Sequence, residues 1–223
     1  MANLHGLKPG ENLLMVGSGN VGVVVAYQML QAGCRVAAII DAAPQIGGYG
    51  VHASKVARYG VPFLMSHTIQ RVHGEDRVEG ATIVQVDDKW KPVPGTETHL
   101  DVDTVCLAVG LNPMTQLLQM AGCGTAVVSK LGGRIPLHDQ NQQTTVSGVY
   151  VAGDVSGIEE ASTAIIEGRI AGLAIAHSLG YLEDSAFLEQ RDQQLESMKG
   201  LRSGTHGDAR RVAKEYINAL MKG

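Results

Sequence analysis

The chain has 223 residues, of which 44% are hydrophobic, and a formal net charge of −4. This is enough apolar sequence for a buried core, and the lysines and arginines are scattered singly, so we expect neither a nucleic-acid nor an anionic-membrane partner. The first ten residues lack a basic-then-apolar signal pattern, and Glu167 and Arg169 interrupt the apolar stretch between residues 161 and 180. We therefore expect a soluble, cytoplasmic protein.

The first elements predict a βαβ unit. Leu13–Val16 is a short apolar run, which indicates a buried parallel strand. Asn20–Ala32 has the pattern of a helix that ends at Gly33, and Arg35–Ile40 predicts a second strand followed by Asp41. The crossover between the two strands should be right-handed.

The junction between this strand and this helix carries a G-x-G-x-x-G pattern, which is typical of a dinucleotide-binding loop in that position. Its six residues are Gly17, Ser18, Gly19, Asn20, Val21 and Gly22. The first glycine allows a tight turn, the second lets a pyrophosphate approach the backbone, and the third allows the helix to pack on the strand. The N–H groups that begin the helix then face the phosphates. Asp41, about 20 residues further on, can accept hydrogen bonds from a ribose diol and repels a 2′-phosphate, which predicts NAD(H) in preference to NADP(H).

Residues 51–110 predict a third strand, an antiparallel meander and a return to the parallel sheet. A helix is predicted over Val51–Tyr59, and a last buried strand over Thr104–Val109 is closed by Gly110. Between them lie four predicted strands, the last three separated by polar turns: Val61–Met65, Thr68–Val72, Glu79–Val86 and Glu97–Leu100. The fold class is therefore α/β, a Rossmann-like dinucleotide-binding fold with an inserted β-meander.

The second half predicts further α/β structure followed by a helical tail. Met114–Ala121 indicates a short helix, Val149–Ala152 a strand closed by Gly153 and Asp154, and Glu159–Leu179 a long helix that is apolar nearly all round. This helix has a row of small residues suited to close contact with a sheet: Ala164, Gly168, Gly172 and Ala176. The tail after residue 182 is polar and helical. Its last helix has one apolar stripe: Val212, Tyr216, Ile217, Leu220 and Met221.

The cysteines and histidines predict no metal site. Cys34, Cys106 and Cys123 are far apart and form no C-x-x-C motif, and the histidines show no metal-ligand spacing. We expect no catalytic side chain, so the chemistry should come from a cofactor.

Two later segments resemble a known family. One comprises residues 104–110 with the following Asn112 and Pro113, and the other comprises residues 148–154 with the following Glu-Glu-Ala-Ser at 159–162. Both are similar to late motifs of the pyridine nucleotide-disulfide oxidoreductase superfamily of two-dinucleotide flavoproteins. The resemblance is greatest to the α subunits of sarcosine oxidase and of dye-linked amino-acid dehydrogenases.

This resemblance implies a domain order and two cofactors, NAD(H) and FAD. Residues 1–125 would form the NAD(P)-binding Rossmann domain, residues 126–182 the closing segment of an FAD-binding domain, and residues 183–223 a helical tail. In such proteins the aspartate that matches Asp154, next to Gly153, contacts the ribityl and pyrophosphate region of the flavin. The helix after it points its positive N-terminus at the isoalloxazine ring. By position, Ala161 and Ser162 would supply backbone contacts there.

Two departures from the family pattern shape the functional hypothesis. No G-x-G-x-x-G precedes Leu13, so the N-terminal FAD half is missing, and the absence of C-x-x-C argues against disulfide reduction. The chain would then be a split subunit or a truncated form. We expect a homodimer or a partner chain that supplies the missing FAD half, because the long apolar helix needs cover on several sides.

The functional hypothesis is the NAD(H)- and FAD-binding part of a flavin-dependent oxidoreductase that passes hydride between nicotinamide and flavin. A rival hypothesis assigns the whole chain to a single FAD-binding domain, because Asp41 followed by Gly47 and Gly48 is also typical of such domains. A third is a non-catalytic dinucleotide-binding subunit or remnant.

Overall fold

The computed structural model describes residues 2–221, apart from the side chains of Ala2, Thr205 and His206. The chain divides into two compact units, one ending at Gly110 and the other beginning at Leu111. The first compact unit therefore ends before residue 125, and the functional domain bounds of 1–125, 126–182 and 183–223 stay a prediction.

The reason for the earlier boundary is the packing of residues 111–125. The Cys123 thiol contacts the Thr144 hydroxyl at 3.3 Å, and the Gly124 N–H donates to the Thr145 hydroxyl at 2.7 Å, so this segment is held by the second unit. Which cofactor each unit binds stays a prediction.

The first unit contains a parallel sheet and an antiparallel meander. Its elements in chain order are α1 (Ala2–His5), β1 (Asn12–Val16), α2 (Asn20–Gln31), β2 (Arg35–Asp41), α3 (Gly50–Ala57), β3 (Phe63–Met65), β4 (His67–His73), β5 (Gly80–Gln85), β6 (Thr98–Leu100) and β7 (Thr104–Leu107). The parallel strands lie in the order β3-β2-β1-β7, and β4-β5-β6 form the meander. This confirms the predicted α/β Rossmann-like fold with its inserted meander.

The central strand β1 divides the core of this unit. Leu13 and Met15 pack with residues of α2 and α3 such as Val23 and Val56, whereas Leu14 and Val16 on the other face pack with the meander. Both faces of the strand are covered, which explains why its sequence is a continuous apolar run rather than an alternating one.

The second unit is mostly helical. Its elements are α4 (Gln116–Met120), β8 (Thr125–Val128), β9 (Gly133–Pro136), α5 (Ala161–Ser178), α6 (Asp184–Leu201) and α7 (Gly204–Leu220). The hairpin of β8 and β9 was not predicted. The predicted strand Val149–Ala152 was wrong: Tyr150 makes only an isolated bridge with Gln143, because a strand needs a neighbour and residues 2–221 supply no ladder there.

Helix α5 buries one face and leaves the other open. Ile166 and Ile170 pack against Met198 of α6. The predicted contact of the small-residue row with a sheet is not seen within the described chain, since Gly168 and Gly172 are exposed and a Cβ at either would meet nothing within 4 Å. The row is instead part of an uncovered face.

The last helix also differs from its predicted pattern. Ile217 and Ala213 are buried with Leu131 and Ile135 of the hairpin region, but three residues of the expected stripe are exposed. These are Val212 (56%), Tyr216 (52%) and Leu220 (39%). Among the described residues, no helix combines the length and apolarity that a membrane crossing needs.

Candidate functional site

The glycine loop between β1 and α2 has the tight geometry that its sequence predicted. Gly17 has φ +108°, and a Cβ there would overlap the carbonyl group of Ala108. A Cβ at Gly22 would overlap the carbonyl oxygen of Gly17. Both positions therefore require glycine for the helix to begin this close to the sheet.

The helix start forms an open, donor-rich surface. A Cβ at Gly19 would stand in open space, with nothing within 4 Å. Within residues 2–221, no acceptor is recorded for the backbone N–H groups of Asn20, Val21 and Gly22. An anion can therefore approach the loop at Gly19 and bind unpaired donors at the positive end of α2.

Asp41 is bound to the glycine loop. Its Oδ2 accepts hydrogen bonds from both the N–H and the hydroxyl of Ser18, each at 2.7 Å, and its Oδ1 accepts the Ala43 N–H at 2.9 Å. Ser18 is fully buried. A carboxylate has about four lone-pair positions, so one on Oδ1 is left for a ligand such as a ribose hydroxyl. The link between Ser18 and Asp41 was missed in the sequence.

A second loop supports the first one. The Gly48 N–H donates to the Ser18 carbonyl oxygen at 2.8 Å, the Gly47 N–H to the Ser18 hydroxyl at 3.0 Å, and the Tyr49 N–H to the Asn20 side chain at 2.8 Å. The glycine pair was visible in the sequence as a loop, but its contact with the dinucleotide motif was not.

Gly110 lies near the same sheet edge as this loop. It follows β7, which pairs with β1, and the Ala108 N–H donates to the Val16 carbonyl oxygen at 2.7 Å. Gly110 itself has φ +121° and is exposed, so it ends the strand where the carboxyl ends of parallel strands bind ligands in open α/β sheets.

The second predicted site is the turn at Gly153–Ser156. Gly153 has φ +73°, and a Cβ there would meet the Ala164 methyl group at 3.4 Å, an ordinary contact. The glycine is therefore required by the backbone conformation rather than by a need for empty space. Asp154 is exposed, and no donor to its carboxylate is recorded within residues 2–221.

The position of Asp154 excludes the simpler role of a helix cap. The turn Gly153–Ser156 is a short 3₁₀-helix whose capping position is Ala152, and the capping position of α5 is Glu160. Neither of these helix starts has a side-chain cap hydrogen bond. At the start of α5, Ala161 and Ser162 are exposed, and no acceptor is recorded for their N–H groups in the described chain. An acceptor-free helix start and an unpartnered carboxylate thus lie on either side of a short connection, as the FAD hypothesis requires.

A buried ionic cluster behind this turn was missed in the sequence. Glu167 of α5 and Lys214 of α7 are 2% and 4% exposed, and their side chains are 2.7 Å apart. Arg202 donates to Glu167 and also holds Glu159 through two hydrogen bonds of 2.9 and 2.7 Å. The sequence analysis interpreted Glu167 as a charge that interrupts an apolar helix, and it interpreted Arg202 and Lys214 as part of a polar helical tail.

The cysteines and histidines form no second site in the described part of the chain. No group of three or more His, Cys, Asp or Glu side chains there could hold a metal ion. Burial and the neighbouring Cys34 raise the pKa of Cys106, so its thiol is a poor nucleophile. His138 is buried, and its pKa is lowered to about 4 by burial and by Lys214.

Comparison with known proteins assigns the family. The model of the pyridine nucleotide-disulphide oxidoreductase family matches residues 2–168. This chain belongs to that family, a class of flavin-dependent oxidoreductases, which confirms the resemblance seen in the two late motifs.

Similar proteins agree on this class. The chain is 26% identical to the HcnB component of hydrogen cyanide synthase from Pseudomonas aeruginosa, over 94% of this chain and 49% of that protein. It is 30% identical to one of the subunits of opine oxidase from Rhizobium meliloti, over 82% and 43% of the two chains. The crystal structure of thioredoxin reductase from T. acidophilum shares the fold with a TM-score of 0.62 and 23% identity, covering 75% of this chain and 52% of that one. The chain thus spans about half the length of the curated relatives it matches.

Proposed function

We propose that this chain is the NAD(H)-binding part, and the closing part of the flavin site, of a flavin-dependent oxidoreductase. The observation that carries this proposal is the glycine loop, which combines an open approach at Gly19 with three N–H groups at the start of α2 that have no acceptor among the described residues. When bound, the two cofactors supply hydride transfer between nicotinamide and flavin, and no side chain of this chain is needed as an acid or base.

The first unit binds and orients the pyridine nucleotide in this proposal. The backbone at Gly19, Asn20 and Val21 holds the pyrophosphate, and the free lone pair of Asp41 Oδ1 accepts a ribose hydroxyl. Since Asp41 is negatively charged and already accepts three hydrogen bonds, a 2′-phosphate beside it is repelled. This supports NAD(H) over NADP(H).

Nucleotide titration tests the preference. NADH and NADPH are titrated into the purified chain, and the fluorescence of the nicotinamide reports binding; we expect a Kd for NADH at least about tenfold lower. Asp41→Asn should narrow this gap while keeping an acceptor for the buried Ser18 N–H. The matched control is Ser18→Ala, which removes the two hydrogen bonds of the Ser18 hydroxyl but leaves the charge of Asp41, so the ratio of the two Kd values should stay the same. Equal binding of both nucleotides by the wild type would refute the preference.

The second unit contributes to the flavin site in this proposal. Asp154 provides a carboxylate for the polar chain of the flavin, and the N–H groups of Ala161 and Ser162 provide donors at the positive end of α5, where negative charge on the reduced flavin is stabilised. The exposed, unpartnered state of Asp154 supports this assignment, because nothing else in the described chain uses it.

The open face of α5 supports association with a partner, which we propose is a flavin-binding chain or a second copy of this chain. Ile165, Ile175 and Leu179 are exposed beside the glycines of the small-residue row. The curated relatives described above are about twice as long, and their names identify them as subunits. Light scattering at micromolar concentration should show a complex with a flavin-binding chain, or a homodimer, and Ile165→Glu should weaken it. A well-behaved monomer that recruits no such chain would contradict this part.

The rival hypothesis, in which the glycine loop binds FAD, is favoured by one observation. Gly47 and Gly48 pack on the loop and are bonded to Ser18, as the acidic-residue–Gly-Gly pattern of FAD domains suggested. Competition decides between the two: if FAD displaces NADH from the purified chain, and Gly19→Ala abolishes FAD binding, the loop is a flavin site.

A further inference from the structure

The carboxylate of Glu167 is a junction between the 153–156 turn and the C-terminal helices. Its Oε2 accepts the Gly153 N–H at 2.8 Å and the Ser156 hydroxyl at 2.7 Å. Its Oε1 accepts Lys214 Nζ at 2.7 Å and Arg202 Nη2 at 2.6 Å. Four donors thus occupy the four lone-pair positions of one carboxylate.

Lys214 completes the attachment of the turn. Its ammonium donates to the carbonyl oxygen and to the hydroxyl of Ser156, each at 2.9 Å, besides its contact with Glu167. All three N–H bonds therefore have an acceptor, two of them on the turn itself. Arg202 is shared between Glu167 and Glu159, so two cations face two carboxylates and the buried charge is balanced.

The electrostatics agree with an ionised Glu167. Burial alone raises its pKa, but the nearby charge and hydrogen bond of Lys214, the Ser156 hydroxyl and Arg202 together lower it below the usual value. A buried ion pair of this kind is seldom kept for stability alone, since apolar residues of similar volume often stabilise a core as well. In some proteins a buried polar or ionic group instead specifies one local conformation.

We propose that Glu167, held by Lys214 and Arg202, is a positioning residue that fixes the 153–156 turn and thereby presents Asp154 to the flavin. The C-terminal helices α6 and α7 are then part of the cofactor site, although they follow its sequence motif by tens of residues. This inference rests on the proposed function only in taking the flavin as the ligand of Asp154. That Glu167 holds the turn rests on the distances alone.

Two variants and a matched control test the proposal in the full chain. Lys214→Met removes the cation that bridges Ser156 and Glu167, and Glu167→Gln removes the charge and one acceptor. Arg211→Met is the control on the same helix, because Arg211 forms its ion pairs with the exposed residues Glu215 and Asp208. The readouts are amide hydrogen exchange at Gly153, compared with Ile170 in the middle of α5, and FAD affinity measured by flavin fluorescence.

The ratio of the two exchange rates separates positioning from stability. A loss of stability alone speeds exchange at Gly153 and Ile170 equally, whereas loss of the Glu167 contact speeds Gly153 by at least about tenfold more. FAD affinity should fall by at least about tenfold in both variants and stay unchanged in Arg211→Met. Combining Lys214→Met with Glu167→Gln should not double the effect, because both act on one cluster.

Each result has one meaning for the proposal. Equal acceleration at Gly153 and Ile170, or unchanged FAD affinity in the folded variants, would overturn it and leave the cluster a purely structural device. A wild-type chain that binds no FAD, alone or with a flavin-binding chain, would remove the proposed function and the flavin role of Glu167. The exchange ratio would then still decide whether Glu167 holds the turn.

Discussion

The two turns that we propose as cofactor sites are supported in different ways. The loop at Gly17 is held mainly by residues close to it in the chain: Asp41 is 23 positions from Ser18, and the 47–49 loop follows soon after, with most of the contacts involving the backbone. The turn at Gly153 is held by buried side chains, and Lys214 is 58 positions from the Ser156 atoms that it contacts. One site is built locally and its motif is visible in the sequence, whereas the other depends on a distant helix.

The largest expected effect breaks the distant support. Within the described chain, Lys214→Met leaves the buried Glu167 paired with Arg202 alone, so the second unit should lose about 3–5 kcal/mol of unfolding free energy. Denaturant titration measures this loss. Arg211→Met on the same helix removes only exposed pairs and should cost less than about 1 kcal/mol. Similar losses of unfolding free energy for the two variants would show that the buried cluster stabilises the second unit no more than the exposed ion pairs do.

The next effect is a pH dependence that comes from His138. Its Nδ1 lies 2.8 Å from the Pro136 carbonyl oxygen, and its pKa is about 4 against an ordinary 6.5. The unfolded chain therefore binds a proton that the folded chain does not, and stability is complete above pH 6.5 and falls towards pH 4, by about 3 kcal/mol. Unfolding titrations between these pH values measure the slope.

A variant isolates the contribution of His138. His138→Gln keeps a donor for the Pro136 carbonyl group but cannot take up the proton, so the slope between pH 6.5 and 4 should flatten. The lowered pKa of Glu167 places its own contribution at more acidic pH. An unchanged slope in the variant would assign the pH dependence to other groups.

A smaller effect separates ligand binding from folding at the second turn. Asp154→Ala should leave the flavin-free stability within about 0.5 kcal/mol, because the carboxylate is exposed and caps no helix. Flavin affinity should fall by about tenfold or more, the equivalent of one charge-assisted hydrogen bond of about 1.5–3 kcal/mol. Thermal unfolding and flavin fluorescence provide the two measurements. Flavin affinity equal to that of the wild type would end the assignment of Asp154.

The smallest predicted effect makes the same separation at the local site. Gly19→Ala adds a methyl group in open space, so stability should change by less than about 1 kcal/mol. The methyl group stands where the pyrophosphate would approach, and NADH affinity should fall by about tenfold, or about 1.4 kcal/mol. Gly200→Ala, also in open space but within α6, is the control and should leave NADH affinity unchanged.

The glycine loop, which is held by nearby residues, could be predicted from the sequence, whereas the distant support of the Gly153 turn could not. The strand β1, the glycine loop and Asp41 lie close together in the chain, and hydrophobic period and glycine spacing report such local structure. The cluster of Glu167, Lys214 and Arg202 depends on which faces of three helices meet, and a single sequence carries no direct signal of that. The hairpin of β8 and β9 was missed because two short runs around Gly132 are equally typical of a loop.

Val149–Ala152 shows the opposite error. Its apolar run has the composition of a buried strand, but strand formation depends on partners, and the described chain offers Tyr150 one isolated bridge. The small-residue row of α5 likewise meets no sheet within residues 2–221, although its pattern is typical of such a contact. Both are segments whose composition is typical of contacts that residues 2–221 do not make.

The bond between Asp41 and Ser18 has a consequence for engineering cofactor preference. A common route to NADP(H) acceptance replaces the acidic residue after β2 with a neutral or basic one. Here a replacement without an acceptor oxygen would also leave the N–H of the fully buried Ser18 unpaired, at a cost of about 1–3 kcal/mol, whereas asparagine would keep an acceptor. A replacement that brings no acceptor would therefore need a change at position 18 as well, because this one carboxylate both faces the nucleotide and holds the loop.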